Sequence, residues 1–195
     1  MGLIWEFEGG ETPLDPDEYA GLRIPIISTR AELDEHEQVN IQRARVWLGK
    51  RKPNLIDLLT DAFVKQLHLQ MYNEVWIWAG RFRKTEKNIG VDPIRIPTDL
   101  RQLLLDAHYW VENHTYPPDE LVIRLKHRLV CIHCFSNGNG RHARLFADLM
   151  IKGLNGEPFS WGGFTEMPDV RDLYISSLRE ADRGNMQALV AFARS

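Results

Sequence analysis

Cysteine is scarce in this chain: among 195 residues there are two, Cys131 and Cys134, in one apolar stretch. That number and spacing exclude the disulfide framework of a small secreted protein and fit a reduced, cytoplasmic compartment. Charge of one sign is also missing. With 24 Lys and Arg against 27 Asp and Glu, the formal net charge is -3. This leaves out the broad positive field of non-specific nucleic-acid binding but allows a local anion pocket. No apolar run approaches the roughly 20 residues that span a bilayer, and the opening residues 1–10 are too short and too acidic for a secretion signal. No repeat or low-complexity tract occurs. The length suits one domain, or one domain with an N-terminal extension, and a core that needs no staples.

Gly9, Gly10, Pro13, Pro16, Gly21 and Pro25 break residues 1–27 into an extended arm. Thr29 and Glu32 form a capping box. From there Leu33, Val39, Ile41, Val46 and Leu48 predict a long helix to about Gly49. Residues 1–54 therefore read as arm and long helix, and 55–195 as the main domain. Within the latter, Leu58, Leu59, Ala62, Phe63, Leu67, Met71, Val75 and Trp78 recur at threes and fours, predicting one helix from Leu55 to Trp78. Between Gly80 and Pro97, the residues Phe82, Asn88, Gly90, Pro93 and Ile94-Arg-Ile96 predict a small β-hairpin turning at 88–90. Further helices are predicted near 99–113, 119–133 and 141–153, with a last pair after Pro168 and around 186–193. The fold class is mainly α, a helical bundle with one small β-hairpin.

The stretch that carries chemistry is His133-Cys-Phe-Ser-Asn-Gly-Asn-Gly-Arg-His-Ala-Arg144, joining one helix end to the next helix start. Gly138 and Gly140 can take positive φ, so that the N–H groups of Gly138, Asn139, Gly140 and Arg141 curl toward one point as an anion nest. The following helix adds the positive end of its dipole. Arg141 and Arg144, three apart, share a helix face, and both are expected to reach one polyphosphate. His133 would face that cradle as a general base, with Phe135 anchoring the loop in the core.

Other features carry blander expectations. His127, Cys131, His133 and Cys134 invite a zinc site, but one helix cannot wrap four such ligands around a tetrahedral ion, so buried thiols are expected. His142 is expected to turn to the surface. Trp47, Trp76, Trp78 and Trp110 read as core, and Arg83, Lys84 and Lys87 as solvated charges.

The same string closely resembles the signature of the Fic/Doc family, His-x-Phe-x-acid-Gly-Asn-Gly-Arg-x-x-Arg. The resemblance runs from about Leu55 to Ala193, includes Val75-Trp-Ile-Trp-Ala-Gly80, and extends over the whole chain to the branch called mobile mystery protein B. It implies a Fic-type helical bundle in which the hairpin is a flap. It also implies transfer of AMP from ATP to a Ser, Thr or Tyr hydroxyl of a target protein, self-modification included. By resemblance, His133 is the base; Gly138, Asn139, Gly140, Arg141 and Arg144 hold the nucleotide; and Lys87, Asn88 and Ile89 clamp the target. Gly140, where phosphorylating relatives have lysine, favours nucleotidyl transfer. The branch implies a toxin-like role, with an antitoxin or DNA-binding partner. The family's acid is here Asn137, which keeps a carbonyl oxygen but lacks the charge that a hard cation prefers, so Mg2+ should bind more weakly. Glu32 fits two roles: closing the cap on Thr29, or, because Ser28-x-x-x-Glu32 matches half of the family's inhibitory signature, pairing with Arg144 to block the site.

Overall fold

The computed structural model of the chain describes residues 16–163 and 170–195. Most of the expected N-terminal arm and the expected helix start at Pro168 therefore lie outside the described residues. A short α1 (Pro16–Tyr19) precedes the long α2 (Arg30–Arg51). The latter starts on the predicted capping box, with Thr29 accepting from the Glu32 N–H and Glu32 reaching back to the Thr29 N–H. It ends on Lys52, in the left-handed conformation.

The single helix expected over 55–78 is divided. Asn54 and Asp57 form a second capping box that starts α3 (Leu55–Leu58), and the Thr60 hydroxyl accepts from the Phe63 N–H to start α4 (Asp61–Tyr72). Two N-caps six residues apart force the break, because each commits its own backbone to an extended conformation. Beyond Tyr72 the chain runs in turns, and Trp76 makes an isolated antiparallel bridge with Leu22.

The expected β-hairpin does not form; the described residues of 80–97 contain no strand. The segment's backbone groups are satisfied elsewhere. Arg83 N–H donates to the Cys134 carbonyl and Val91 N–H to that of Ile132, so the flap is laid along the end of a neighbouring helix instead of pairing with itself. Pro93 and the Asp92 carboxylate, which accepts from Ile94 N–H, then start a 3-10 turn (Pro93–Arg95). This turn leads into α5 (Ile96–Glu112).

The next elements are α6 (Pro118–Ile132) and α7 (Asn139–Gly153), followed by α8 (Val170–Asp182) and α9 (Gln187–Arg194). The most extensive packing is of α6 with α7, α2 with α4, α8 with α9 and α5 with α6, while α7 also meets α3 and α4 and α6 meets α9. Leu67, Leu100, Val122, Phe135, Phe146 and Met150 are fully enclosed at the centre. Leu33, Ile41, Ala44 and Leu48 place α2 in that same core. No described helix is long and apolar enough to cross a membrane.

Candidate active site at the α6–α7 junction

The junction begins where α6 stops. His133 caps the helix in the left-handed conformation (φ 56°, ψ 62°), and its N–H still donates to the Leu129 carbonyl. Phe135 is fully buried and stacks on His68 at 3.7 Å between ring centres. His68 bridges two loops: its Nδ1 accepts from Gly80 N–H at 3.0 Å, which leaves Nε2–H to donate to the Asn137 carbonyl at 3.0 Å. The Asn139 amide clamps Phe135 from both sides, accepting from its N–H at 2.9 Å and donating to its carbonyl at 2.7 Å. Asn139 thus shapes the loop, and its side chain is not directed at phosphates as expected.

Gly138 has φ 76° and is the N-cap of α7, with no side chain capping the helix. It sits so close to Tyr72 that a Cβ would lie 2.4 Å from the ring. Gly140 is already helical, and a Cβ there would meet nothing within 4 Å. Only one of the two expected positive-φ glycines is therefore needed. The first intrahelical bond runs from His142 N–H to the Gly138 carbonyl. The N–H groups of Asn139, Gly140 and Arg141 precede it and face outward at the positive end of the helix dipole. Gly138 N–H instead donates to Asn137 Oδ1 at 2.7 Å.

His133 is 4% exposed. Burial, with the Arg83 and Lys87 charges nearby, lowers its pKa to about 4, so its imidazole is neutral at physiological pH. Gly90 of the flap crosses directly over it, and a Cβ on Gly90 would lie 2.7 Å from the His133 Cβ. Arg83 fixes this crossing. It is buried and not solvated as expected, donating to the carbonyls of His133 (2.6 Å), Thr85 (2.8 Å), Val91 and Ile132. Lys87 is turned inward to pair with Glu18, also against expectation. Asn88 and Ile89 stay exposed on the flap.

The two arginines do not converge. Arg141 pairs with Glu37 and lies 5.5 Å over the Tyr72 ring. Arg144 lies 4.7 Å over Tyr174 and 5.8 Å over Trp161. One helix face carries both, but their guanidinium groups are held by different elements. Glu32 does not touch Arg144: its carboxylate accepts from the N–H groups of Ser28 (2.7 Å) and Thr29 (3.1 Å) and serves the cap.

The carboxylate that does enter the site is Glu37, which is fully buried. Besides Arg141 it accepts from Trp76 Nε1 at 2.6 Å and faces the Asn137 amide at 3.4 Å. A signal for it lay in the sequence: Leu33, Glu37, Ile41, Ala44 and Leu48 form one buried stripe of α2, with a carboxylate where an apolar residue belongs. His142 is another correction, being buried with Nε2 at 3.0 Å from the Val64 carbonyl. Cys134 is buried as expected, whereas Cys131 is exposed.

For a divalent cation the junction offers little. The Asn137 oxygen is neutral and already accepts from Gly138, and the nearest carboxylate, Glu37, is bound to Arg141. These donors do not fit a protein-held magnesium ion.

Residues 58–151 match the Fic/DOC family. Among curated proteins, the chain is 24% identical over 165 residues to protein adenylyltransferase Fic of Aedes aegypti, covering 82% of this chain and 32% of that protein. It is 29% identical over 118 residues to protein adenylyltransferase fic-1 of Caenorhabditis elegans, covering 58% of this chain and 22% of that one. The chain thus spans about a third or less of these relatives' lengths. Among solved structures, Fic-1 from C. elegans (residues 134–508) superposes with a TM-score of 0.66 at 23% identity, covering 90% of this chain and 51% of that one. BepC from Bartonella tribocorum with bound AMPPNP gives 0.66 at 17% identity, covering 86% and 87%. The fold, the junction and these matches agree: residues 58–151 match the Fic/DOC family, and the chain shares the fold of solved Fic proteins.

Proposed function

We propose that this protein is an adenylyltransferase that moves AMP from ATP to a hydroxyl of a protein, its own chain included. The observation that carries the reading is the pairing of a buried, neutral His133 with the uncapped N-terminus of α7 across a loop of five residues. The α-phosphate would lie at the N–H groups of Asn139, Gly140 and Arg141, the outer phosphates toward Arg141 and Arg144. The acceptor oxygen attacks the α-phosphorus, the bond to the β-phosphate oxygen breaks, pyrophosphate leaves, and His133 takes the hydroxyl proton. The exposed flap edge at Asn88 and Ile89 would align the acceptor segment. Magnesium, where present, would be carried by the nucleotide's own phosphates, and no step here is assigned to it. We read residues 1–54 as a regulatory arm and 55–195 as the catalytic body.

Glu37 favours a second state of the same protein. While its carboxylate holds Arg141, that arginine is withheld from phosphate and the chain binds nucleotide weakly with little turnover. The test is incubation with ATP labelled at the α-phosphate. Label should appear on an acceptor protein or on the chain itself and vanish with His133→Ala; undiminished label in that variant refutes the assignment.

A further inference from the structure

His127 and Cys131, four residues apart on α6, share a helix face, and the end of α8 brings Asp182 against them. His127 Nε2 lies 2.8 Å from Asp182 Oδ1, Cys131 Sγ lies 3.8 Å from the same nitrogen, and all three ligand atoms fall within 4.8 Å of one another. We propose that His127, Cys131 and Asp182 form a binding site for a thiophilic divalent cation of the zinc class, which fastens α8 to α6.

The geometry is close to what such an ion asks. Zinc bonds of roughly 2.0–2.3 Å at tetrahedral angles set ligand atoms about 3.4–3.6 Å apart, so the 2.8 Å nitrogen–oxygen pair must open by about 0.6 Å, the 3.8 Å nitrogen–sulfur pair needs almost no change, and the sulfur–oxygen pair, within 4.8 Å, closes by about 1 Å at most. The imidazole is buried while Cys131 and Asp182 open to solvent, which supplies an entry path and a fourth position for water. A nitrogen, a thiolate and one carboxylate select zinc-like ions over the hard cations magnesium and calcium. On binding, the Cys131 thiol releases its proton to solvent. The His127 Nε2–H that faces Asp182 is also given up, the neutral imidazole carrying its one proton on Nδ1, and the Nε2–carboxylate contact gives way to two coordinate bonds. Because α8 also carries Tyr174, whose ring lies against Arg144 and whose hydroxyl accepts from Lys126 Nζ at 2.6 Å, the cation would hold that ring over the second arginine. Only this last consequence rests on the transferase reading; the site itself does not.

The experiment titrates the chelator-treated full chain with Co2+ under reducing conditions. One equivalent should produce a sulfur-to-cobalt charge-transfer band in the near ultraviolet, and Zn2+ should displace it. Cys131→Ser should abolish the band although Cys134 remains. Asp182→Asn should weaken binding at least about tenfold, since changes that only support a ligand already cost 10–100-fold. Both replaced side chains are exposed, so the fold is kept. Zn2+ should raise the thermal midpoint of the parent protein and not of Cys131→Ser. No thiolate band, a band surviving Cys131→Ser, or unchanged affinity in Asp182→Asn would overturn the site.

Discussion

Glu37→Gln should make the protein less stable and its nucleotide binding tighter, two effects of opposite sign from one change. The Glu37 side chain is fully enclosed, whereas that of Arg141 is 35% exposed. Removing one partner of a wholly buried ion pair costs about 3–5 kcal/mol, and a guanidinium one-third open to water brings that down to about 1–2 kcal/mol. Glutamine keeps an oxygen for Trp76 Nε1, which donates to Glu37 at 2.6 Å, so the loss falls on Arg141, which gives up both the charge and its Oε2 acceptor. In the parent protein a triphosphate must draw Arg141 away from Glu37 and approach a buried carboxylate. With glutamine that opposition disappears, and 1–2 kcal/mol corresponds to roughly 5–30-fold tighter binding. Calorimetric titration with a non-hydrolysable ATP analogue measures the affinity, and urea unfolding measures the stability. Glu32→Gln is the control: its carboxylate serves only the cap of α2, so nucleotide affinity should not move. A folded Glu37→Gln protein that binds the analogue no better than the parent would refute the view that Glu37 withholds Arg141.

Three further outcomes follow from the same geometry. Gly138→Ala forces a left-handed alanine into the Tyr72 ring and should cost about 2 kcal/mol or more of stability in urea unfolding; Gly140→Ala, helical and open, should be neutral or slightly stabilising, and equal effects would contradict the assigned loop. Asn137→Asp supplies a charged oxygen for a hard cation while setting a carboxylate against Glu37, so transfer should reach half-saturation at lower magnesium; an unchanged magnesium titration would rule this out. Burial lowers the pKa values of His133 and His142 to about 4, and that of His68 well below its ordinary value, so the unfolded chain binds more protons than the folded one between about pH 6.5 and 4. Stability is therefore full above pH 6.5 and falls as pH drops through that window, by about 2 kcal/mol at pH 5 for each of His133 and His142. Urea midpoints at pH 7 and pH 5 check this, and a flat profile would mean that these rings are not buried neutral.

The helices that hold the junction were legible because their signals are local. The Thr29–Glu32 box, the apolar stripes of α5, α6 and α7 and the glycine-bounded loop each declare themselves within a few residues. What went unread is what distant partners decide. Residues 80–97 look like a hairpin because Asn88 and Gly90 suit a turn, but the carbonyls of Thr85 and Val91 are taken by Arg83 and the Val91 N–H by Ile132. Nothing in the local pattern shows that a single guanidinium will organise the flap. Asn139 looks like a phosphate ligand by its place in the motif, yet its amide is spent on Phe135. His142 fails in the opposite direction: turned away from the face of Arg141 and Arg144 it reads as surface, and the Val64 carbonyl on α4 with the rings of Phe135 and Phe146 shows that this side of α7 is interior.

Arg141 and Arg144 are equivalent in the sequence and unlike in the fold, and the difference sets what a nucleotide has to do. Arg144 rests on the rings of Tyr174 and Trp161 and shares a side-chain hydrogen bond with Tyr174, so its partners are uncharged rings and a hydroxyl and not a carboxylate. Arg141 commits its donors to Glu37, so phosphate must break a charge-assisted bond to reach it. Binding is then ordered in energy: Arg144 and the first-turn N–H groups of α7 can engage with little rearrangement, and Arg141 joins only when Glu37 yields. Since Glu37 sits on α2 beside Asp34 and Glu35, which with Arg141 line one shallow groove, a ligand that shifts α2 would act on Arg141 through Glu37. On the function proposed above, control of this site would reside in α2, which lies outside the matched residues 58–151, and the chemistry within them.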